Sequence, residues 1–146
     1  EALRNVPLLQ FCTYRELIMI HEVARFRSLG PNELLFYEGQ VGRSAMVVIN
    51  GTVALERKGQ TLAVAESGGC IGEISLVRSM PRSCDARTLE DTELLVIDRD
   101  RFLQILKQDT ELGSKLSWYL LKRMSRLVGE GVPPVLPETL APVLRG

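Results

Sequence analysis

The sequence predicts a mainly β fold, an antiparallel sandwich or barrel with helices at both ends. Three observations predict it. Between about Arg27 and Asp98, short apolar runs are broken by glycine-centred turns at intervals that suit antiparallel strands. Ahead of that region a capping box introduces apolar residues at helical spacing. Behind it, two further helix starts occur before periodicity is lost at Gly129.

Each element comes from its residues. Asn5 precedes a short apolar turn and marks a small first helix. Thr13 with Glu16 makes the capping box, and Leu17, Ile20 and Ala24 recur behind it, so residues 1–28 read as N-terminal helices. In the β region, 27–98, the clearest hairpin joins Ala45-Met-Val-Val-Ile49 to Thr52-Val-Ala-Leu55 through Asn50-Gly51, the preferred pair for a type I′ turn. Lys58-Gly59-Gln60 marks a second reversal and Glu66-Ser-Gly-Gly69 a looser one. Leu94-Leu-Val-Ile97 has the unbroken apolar run of a fully buried strand. Asp98 is placed to cap a short helix through Phe102 and Leu106. Asp109 is placed to cap a longer one carrying Leu112, Leu116, Tyr119 or Leu120, Met124 and Leu127. Residues 98–128 are thus C-terminal helices, and 1–128 form one domain. The segment 129–146 holds four of the seven prolines and reads as a linker or strap.

Bulk properties narrow the function. A chain of 146 residues holds one domain with a real core. Formal net charge is zero, which lacks the field of a nucleic-acid-binding domain, so no nucleic-acid contact is expected of this segment. Cys12, Cys70 and Cys84 are odd in number and far apart, fitting neither a CxxC metal site nor a secreted disulfide framework. A reducing, cytoplasmic compartment is the expectation. No apolar run reaches membrane-spanning length and no signal-peptide pattern opens the chain. Opening on Glu1 rather than methionine is the pattern expected of a domain excised from a longer protein. His21 is the sole histidine, which counts against a Ser-His-Asp or Cys-His catalytic arrangement and against a small β-barrel metalloenzyme needing several imidazole or carboxylate ligands. The expectation is therefore no enzyme, no catalytic residue, no metal and no cofactor.

The chemistry concentrates in Ile71-Gly-Glu-Ile-Ser-Leu-Val-Arg-Ser-Met-Pro-Arg-Ser-Cys-Asp-Ala86. Gly72 lets the backbone turn tightly and come close to a ligand. Glu73 to Val77 then makes one helical turn, whose first N–H groups lack internal partners and suit an anion. Arg82 offers a planar fork matching two phosphate oxygens, and Ser83 adds a hydroxyl and an N–H. Glu73 would repel a phosphate, so it requires a donor on the ligand, and a ribose hydroxyl is one. These residues describe a pocket for a sugar phosphate of low charge, and a singly charged cyclic phosphodiester suits one arginine.

Gly72-Glu73, the apolar-small-apolar stretch after it, and Pro81-Arg82-Ser83 resemble the phosphate-binding cassette of cyclic-nucleotide-binding domains, as in kinase regulatory subunits and catabolite activator proteins. The resemblance runs from about Leu17 to Leu127 and includes Leu34-Leu-Phe-Tyr-Glu-Gly39, Met46-Val-Val-Ile49 and Gly51. It implies an antiparallel β-roll of the double-stranded β-helix or jelly-roll type, with N-terminal helices and C-terminal hinge and lid helices. It implies cAMP, ahead of cGMP, as ligand, held by Ile71, Gly72, Glu73, Ile74, Ser75, Pro81, Arg82, Ser83 and Cys84. Glu73 would accept the ribose 2′-OH, Arg82 would pair with the exocyclic oxygens, and backbone N–H groups near Ser75 and Ser83 would add bonds to phosphate. An effector domain, or a homodimer through the C-terminal helix, would read the binding event.

The chain departs from the family pattern in four places. Ile71 stands where an aromatic is usual, Ala86 where a larger β-branched residue is common, and Asp85 where threonine or serine is usual. Ser83 stands where alanine accompanies cAMP and threonine accompanies cGMP. An inward Asp85 would spoil the phosphate pocket, which leaves a degenerate roll used for oligomerisation or protein interaction as one alternative. The effector domain of a catabolite-activator-type transcription regulator without its DNA-binding part is the other.

Overall fold

The computed structural model describes residues 3, 9–116 and 118. Helix α1 (Tyr14–Val23) leads into strands β1 (Ala24–Leu29), β2 (Leu34–Phe36), β3 (Val41–Gly42), β4 (Ser44–Asn50), β5 (Val53–Arg57) and β6 (Gln60–Ala65). Next come strand β7 (Cys70–Ile71), a 3-10 turn (Glu73–Leu76), β8 (Met80–Pro81), β9 (Asp85–Thr88), β10 (Thr92–Asp98) and α2 (Arg99–Gln108). Residues 110–116 are helical as well. Tyr119, Leu120, Met124, Leu127 and the segment 129–146 lie outside the described residues. The expected β-roll with flanking helices is present.

Two four-stranded antiparallel sheets, β1-β10-β4-β7 and β2-β9-β5-β6, form the roll, and β3 and β8 pair as a separate two-stranded ribbon. Residue parity divides the core in two. On β4 and β10, Met46, Val48, Leu94 and Val96 turn into the roll, where they meet Leu29, Phe36, Val53, Ile71 and Ala86. Their neighbours Ala45, Val47, Leu95 and Ile97 turn outward into a second core with Leu17 and Ile20 of α1, Phe102 and Ile105 of α2, and Leu112 and Leu116. Both strands are therefore covered on both faces, which is why Leu94–Ile97 is apolar without alternation.

The capping box forms: Glu16 N–H donates to Thr13 Oγ1 (3.2 Å), and Thr13 N–H donates to Glu16 Oε1 (2.8 Å). Asp109 caps the helix it precedes, accepting from Leu112 N–H at 3.1 Å. Three local expectations are corrected. The first helix stops at Val23 rather than near Ser28, because residues from Ala24 are extended and pair with β10 along the whole of β1, from Ala24↔Ile97 to Leu29↔Thr92. Asn50-Gly51 makes no hairpin. Strand β4 pairs with β10 and β7, while β5 pairs with β6 and β9, so this turn carries the chain from one sheet to the other. Gly51 (φ +101°) is the only residue of the pair with positive φ, and a β-carbon on it would collide with Asp91 and Thr92. The type I′ geometry, positive φ at both central residues, occurs instead at Lys58-Gly59 between β5 and β6. Asp98 gives no side-chain cap to α2; its carboxylate pairs with Arg25 at 3.1 Å.

Glu16 also receives Lys115 Nζ at 2.8 Å, tying α1 to the last described helix. Burial alone would raise the Glu16 carboxyl; the Lys115 hydrogen bond and then the Thr13 N–H outweigh it and hold the group below the ordinary glutamate range. A carboxyl that is lower in the folded than in the unfolded chain adds stability above its unfolded pKa, and that stability is lost as pH falls through the folded value. The melting temperature is expected to drop between about pH 5 and about pH 3, and Glu16→Gln to flatten that drop. Parallel profiles for the two proteins would refute the assignment. Thr13→Ala is expected to cost about 1 kcal/mol in chemical denaturation.

Candidate functional site

Strand β7 ends at Ile71, and at Gly72, whose φ of +74° is left-handed, the chain turns into the 3-10 helix of Glu73–Leu76. Ser75 N–H closes that turn on the Gly72 carbonyl at 2.9 Å, so this N–H is already used within the turn. Leu76 is fully buried in the helical core, which anchors the turn from below. Glu73 and Ser75, at 8% and 4% exposure, are the buried polar residues of the same turn.

Arg82 comes from the other limb. The ribbon pairs Val41 with Pro81 and Gly42 with Met80, and two further bonds clamp the Arg82 backbone to the preceding loop. Its N–H donates to the Gln40 carbonyl at 2.7 Å, and its carbonyl accepts from Gly39 N–H at 2.9 Å. The side chain is thereby directed back over the glycine turn and is only 8% exposed. Nη1 donates to Ser75 Oγ at 3.0 Å and Nη2 to the Ser44 carbonyl at 2.9 Å, while Nε is buried with no hydrogen-bond partner among the described residues. Cζ lies over the ring of Phe36, 4.1 Å from its centroid. A β-carbon at Gly72 would collide with Arg82 Nη1, and one at Gly42 would collide with Ser75 Oγ and sit 3.0 Å from Arg82 Cζ. The two glycines make the space that the guanidinium occupies.

Electrostatics mark this cation as costly. Burial pulls Arg82 below the ordinary arginine range; Cys84 opposes that shift, and the positive charge of Arg99 adds to it. The group remains charged at any physiological pH, and its removal from water is the largest cause of the shift. Arg99, the first residue of α2, donates from Nη1 to the Gly42 carbonyl at 2.9 Å and to the Ser75 carbonyl at 3.4 Å. A buried cation resting on neutral oxygens, with one donor unused, is an arrangement that favours an anion.

The structure brings together Gly72, Ser75 and Arg82 in direct contact, with Glu73 and Ile74 in the same turn and Ile71 at the end of β7. Pro81 and Ser83 are exposed on either side of Arg82, and the Ser83 carbonyl accepts from Arg57 Nε and Nη2 at 3.0 and 2.8 Å. Cys84 is buried. Asp85 points away from the turn: its Oδ1 accepts from Glu38 N–H at 2.7 Å, while its neighbour Ala86 faces the inner core. Three residues of the site were not picked out in the sequence, namely Phe36, Gly42 and Ser44. Phe36 entered only as part of the Leu34–Gly39 strand segment, and Gly42 carries a weak signal of its own, a glycine shortly before the apolar run that starts at Ala45. Cys12 lies apart, its thiol pushed up to about 11 by burial and the Glu16 charge against the opposing pull of Lys115. Among the described residues, no group of His, Cys, Asp or Glu is placed to hold a metal, and no helix is long and apolar enough to cross a membrane.

Comparison with known proteins bears on the family and the fold. Residues 26–109 match the family described as the cyclic nucleotide-binding domain. The chain is 33% identical over 95 residues to the cyclic AMP receptor protein of Thermus thermophilus, a match covering 62% of this chain and 44% of that protein. It is 29% identical over 133 residues to an uncharacterized NTE family protein of Mycobacterium tuberculosis, covering 90% of this chain and 22% of that one. The chain thus spans less than half the length of these curated relatives. Among solved structures, the N-terminal domain of a transcriptional regulator from Streptomyces coelicolor superposes with a TM-score of 0.85 at 25% identity, covering 91% of this chain and 96% of that one. The glycine turn and the inward arginine are thus set in a roll that other proteins share, and the chain belongs to the cyclic nucleotide-binding domain family.

Proposed function

We propose that this domain binds cAMP in preference to cGMP, through residues 71–75 and 81–84, and acts as a regulatory unit with no chemistry on the nucleotide. The observation that carries the reading is the buried Arg82 guanidinium beside Gly72, bonded to neutral oxygens and with Nε unused. A cyclic phosphodiester, singly charged, supplies the oxygens that this fork fits. Glu73, buried in the same turn, suits a ligand that presents a hydroxyl close to its phosphate, as the ribose 2′-OH does. The base would lie against the inner faces of β5 and β6, where Leu55 is half-buried and its register partner Ala63 is exposed and small. Similarity to a cyclic AMP receptor protein supports adenine over guanine. Asp85, bonded to the Glu38 N–H, leaves the pocket its positive character.

Transmission would run through the turn. Leu76 packs in one cluster with Phe102 and Ile105 of α2, and Arg99 links the start of α2 to the Gly42 and Ser75 carbonyls. A ligand that draws the turn toward Arg82 would favour one placement of α2 over another, which is a shift between pre-existing populations. The readers of that shift would be an effector domain or a second copy meeting the C-terminal helix, in a cytoplasmic setting.

Calorimetry with cAMP and cGMP tests the reading directly: absence of binding heat and of any thermal shift at millimolar nucleotide would overturn it. Arg82→Ala is expected to lose about 2–3 kcal/mol of binding free energy, roughly a hundredfold in affinity, and retention of wild-type affinity would refute its role. Glu73→Gln is expected to weaken cAMP while leaving 2′-deoxy-cAMP nearly unchanged, so that the ratio of the two affinities narrows. A uniform loss for both ligands would remove the proposed ribose contact.

A further inference from the structure

An arginine that must exchange partners on ligand binding needs something that holds it meanwhile. Nη1 and Nη2 of Arg82 are committed to Ser75 Oγ and the Ser44 carbonyl. A phosphate entering over the glycine turn would take over donors of the same guanidinium. During that exchange the cation would be drawn toward solvent, where hydration is strongest, unless another contact persists.

Phe36 supplies such a contact. Its ring lies under Arg82 Cζ at 4.1 Å, and the cation is attracted to the ring's electron-rich face. This attraction uses none of the N–H bonds to Ser75 and Ser44, and so it does not compete with oxygen acceptors. The ring itself is immobilised: Phe36 is buried in the inner core with Ile71 and Ala86, and it pairs with Ala86 in the β2-β9 register. Gly42 closes in on the same guanidinium, with space for no β-carbon. Aromatic ring and glycine together fix where the cation sits, while its donors remain exchangeable.

We infer that Phe36 is a positioning residue for nucleotide binding, acting through Arg82 by holding the guanidinium over the glycine turn. The inference rests on the cyclic-nucleotide reading above and adds to it a residue from β2, outside the cassette segment. It predicts that an apolar side chain of similar size without a π face is insufficient at this position.

The test is a double-mutant cycle in cAMP affinity, with melting temperature recorded for every variant. Phe36→Leu in the wild-type background is expected to weaken cAMP by about fivefold to thirtyfold. In the Arg82→Ala background the same substitution is expected to change affinity less than about twofold, because the cation it acts through is gone. Phe36→Tyr, which keeps the aromatic face, is expected to bind close to wild type and serves as the conservative rescue if the leucine variant folds poorly. Equal losses from Phe36→Leu in both backgrounds, or full affinity in Phe36→Leu, would overturn the inference. So would a folded Phe36→Tyr that binds no better than Phe36→Leu. If the wild-type protein binds no cyclic nucleotide at all, the proposed function itself falls, a result separate from any of these.

Discussion

The structure is organised around a charge taken out of water. Desolvating a guanidinium is expensive, and the cost is recovered only where its donors and its flat face find partners. Arg82 finds them on three separate stretches of chain: the Ser75 hydroxyl from the cassette turn, the Ser44 carbonyl from the start of β4, and the Phe36 ring from β2. The backbone must present all three at once. Gly72 and Gly42 are glycines because a side chain at either would stand where the cation stands, and the ribbon β3-β8 delivers residue 82 to that spot. Local geometry that looks arbitrary along the sequence becomes necessary once the cation's position is fixed.

How much of this could be read from the sequence depends on how local each cause is. Gly72, Glu73, Ser75 and Arg82 were legible because they fall within one segment, where residue type and spacing already suggest an anion held by a turn. Thr13 and Glu16 were legible for the same reason, as was the doubly buried run at Leu94–Ile97. Phe36 and Ser44 were not. Nothing in a phenylalanine on a short strand says that a cation will settle on it, and Ser44 contributes only a carbonyl, which every residue has. Their part in the site comes from topology that brings distant strands to one end of the roll.

The misreadings have the same origin. Asn50-Gly51 reports a turn, and a turn with Gly51 at φ +101° is there. The dipeptide does not say which sheet receives the next strand, and here the chain crosses over because β5 finds its partners in β6 and β9. Asp98 has the side chain of an N-cap, but Arg25 on the adjacent strand competes for its carboxylate and wins both oxygens. Helix α1 ends at Val23 because β10 offers pairing to all six residues of β1, and ladder formation outweighs the helical preference that Arg25 and Arg27 carry.

Strands β4 and β10 work as a partition between two compartments, one lined by Leu94 and Val96, the other by Leu95 and Ile97. Adjacent residues therefore answer to different surroundings: a volume change at Val96 is felt inside the roll, and one at Leu95 is felt among the helices. Inserting or deleting a single residue would send every side chain beyond it to the opposite compartment, unless a bulge like the irregularity at Glu93/Leu94 absorbed the change. Evolution can retune either side independently by substitution, but a change in the length of this wall needs that compensation.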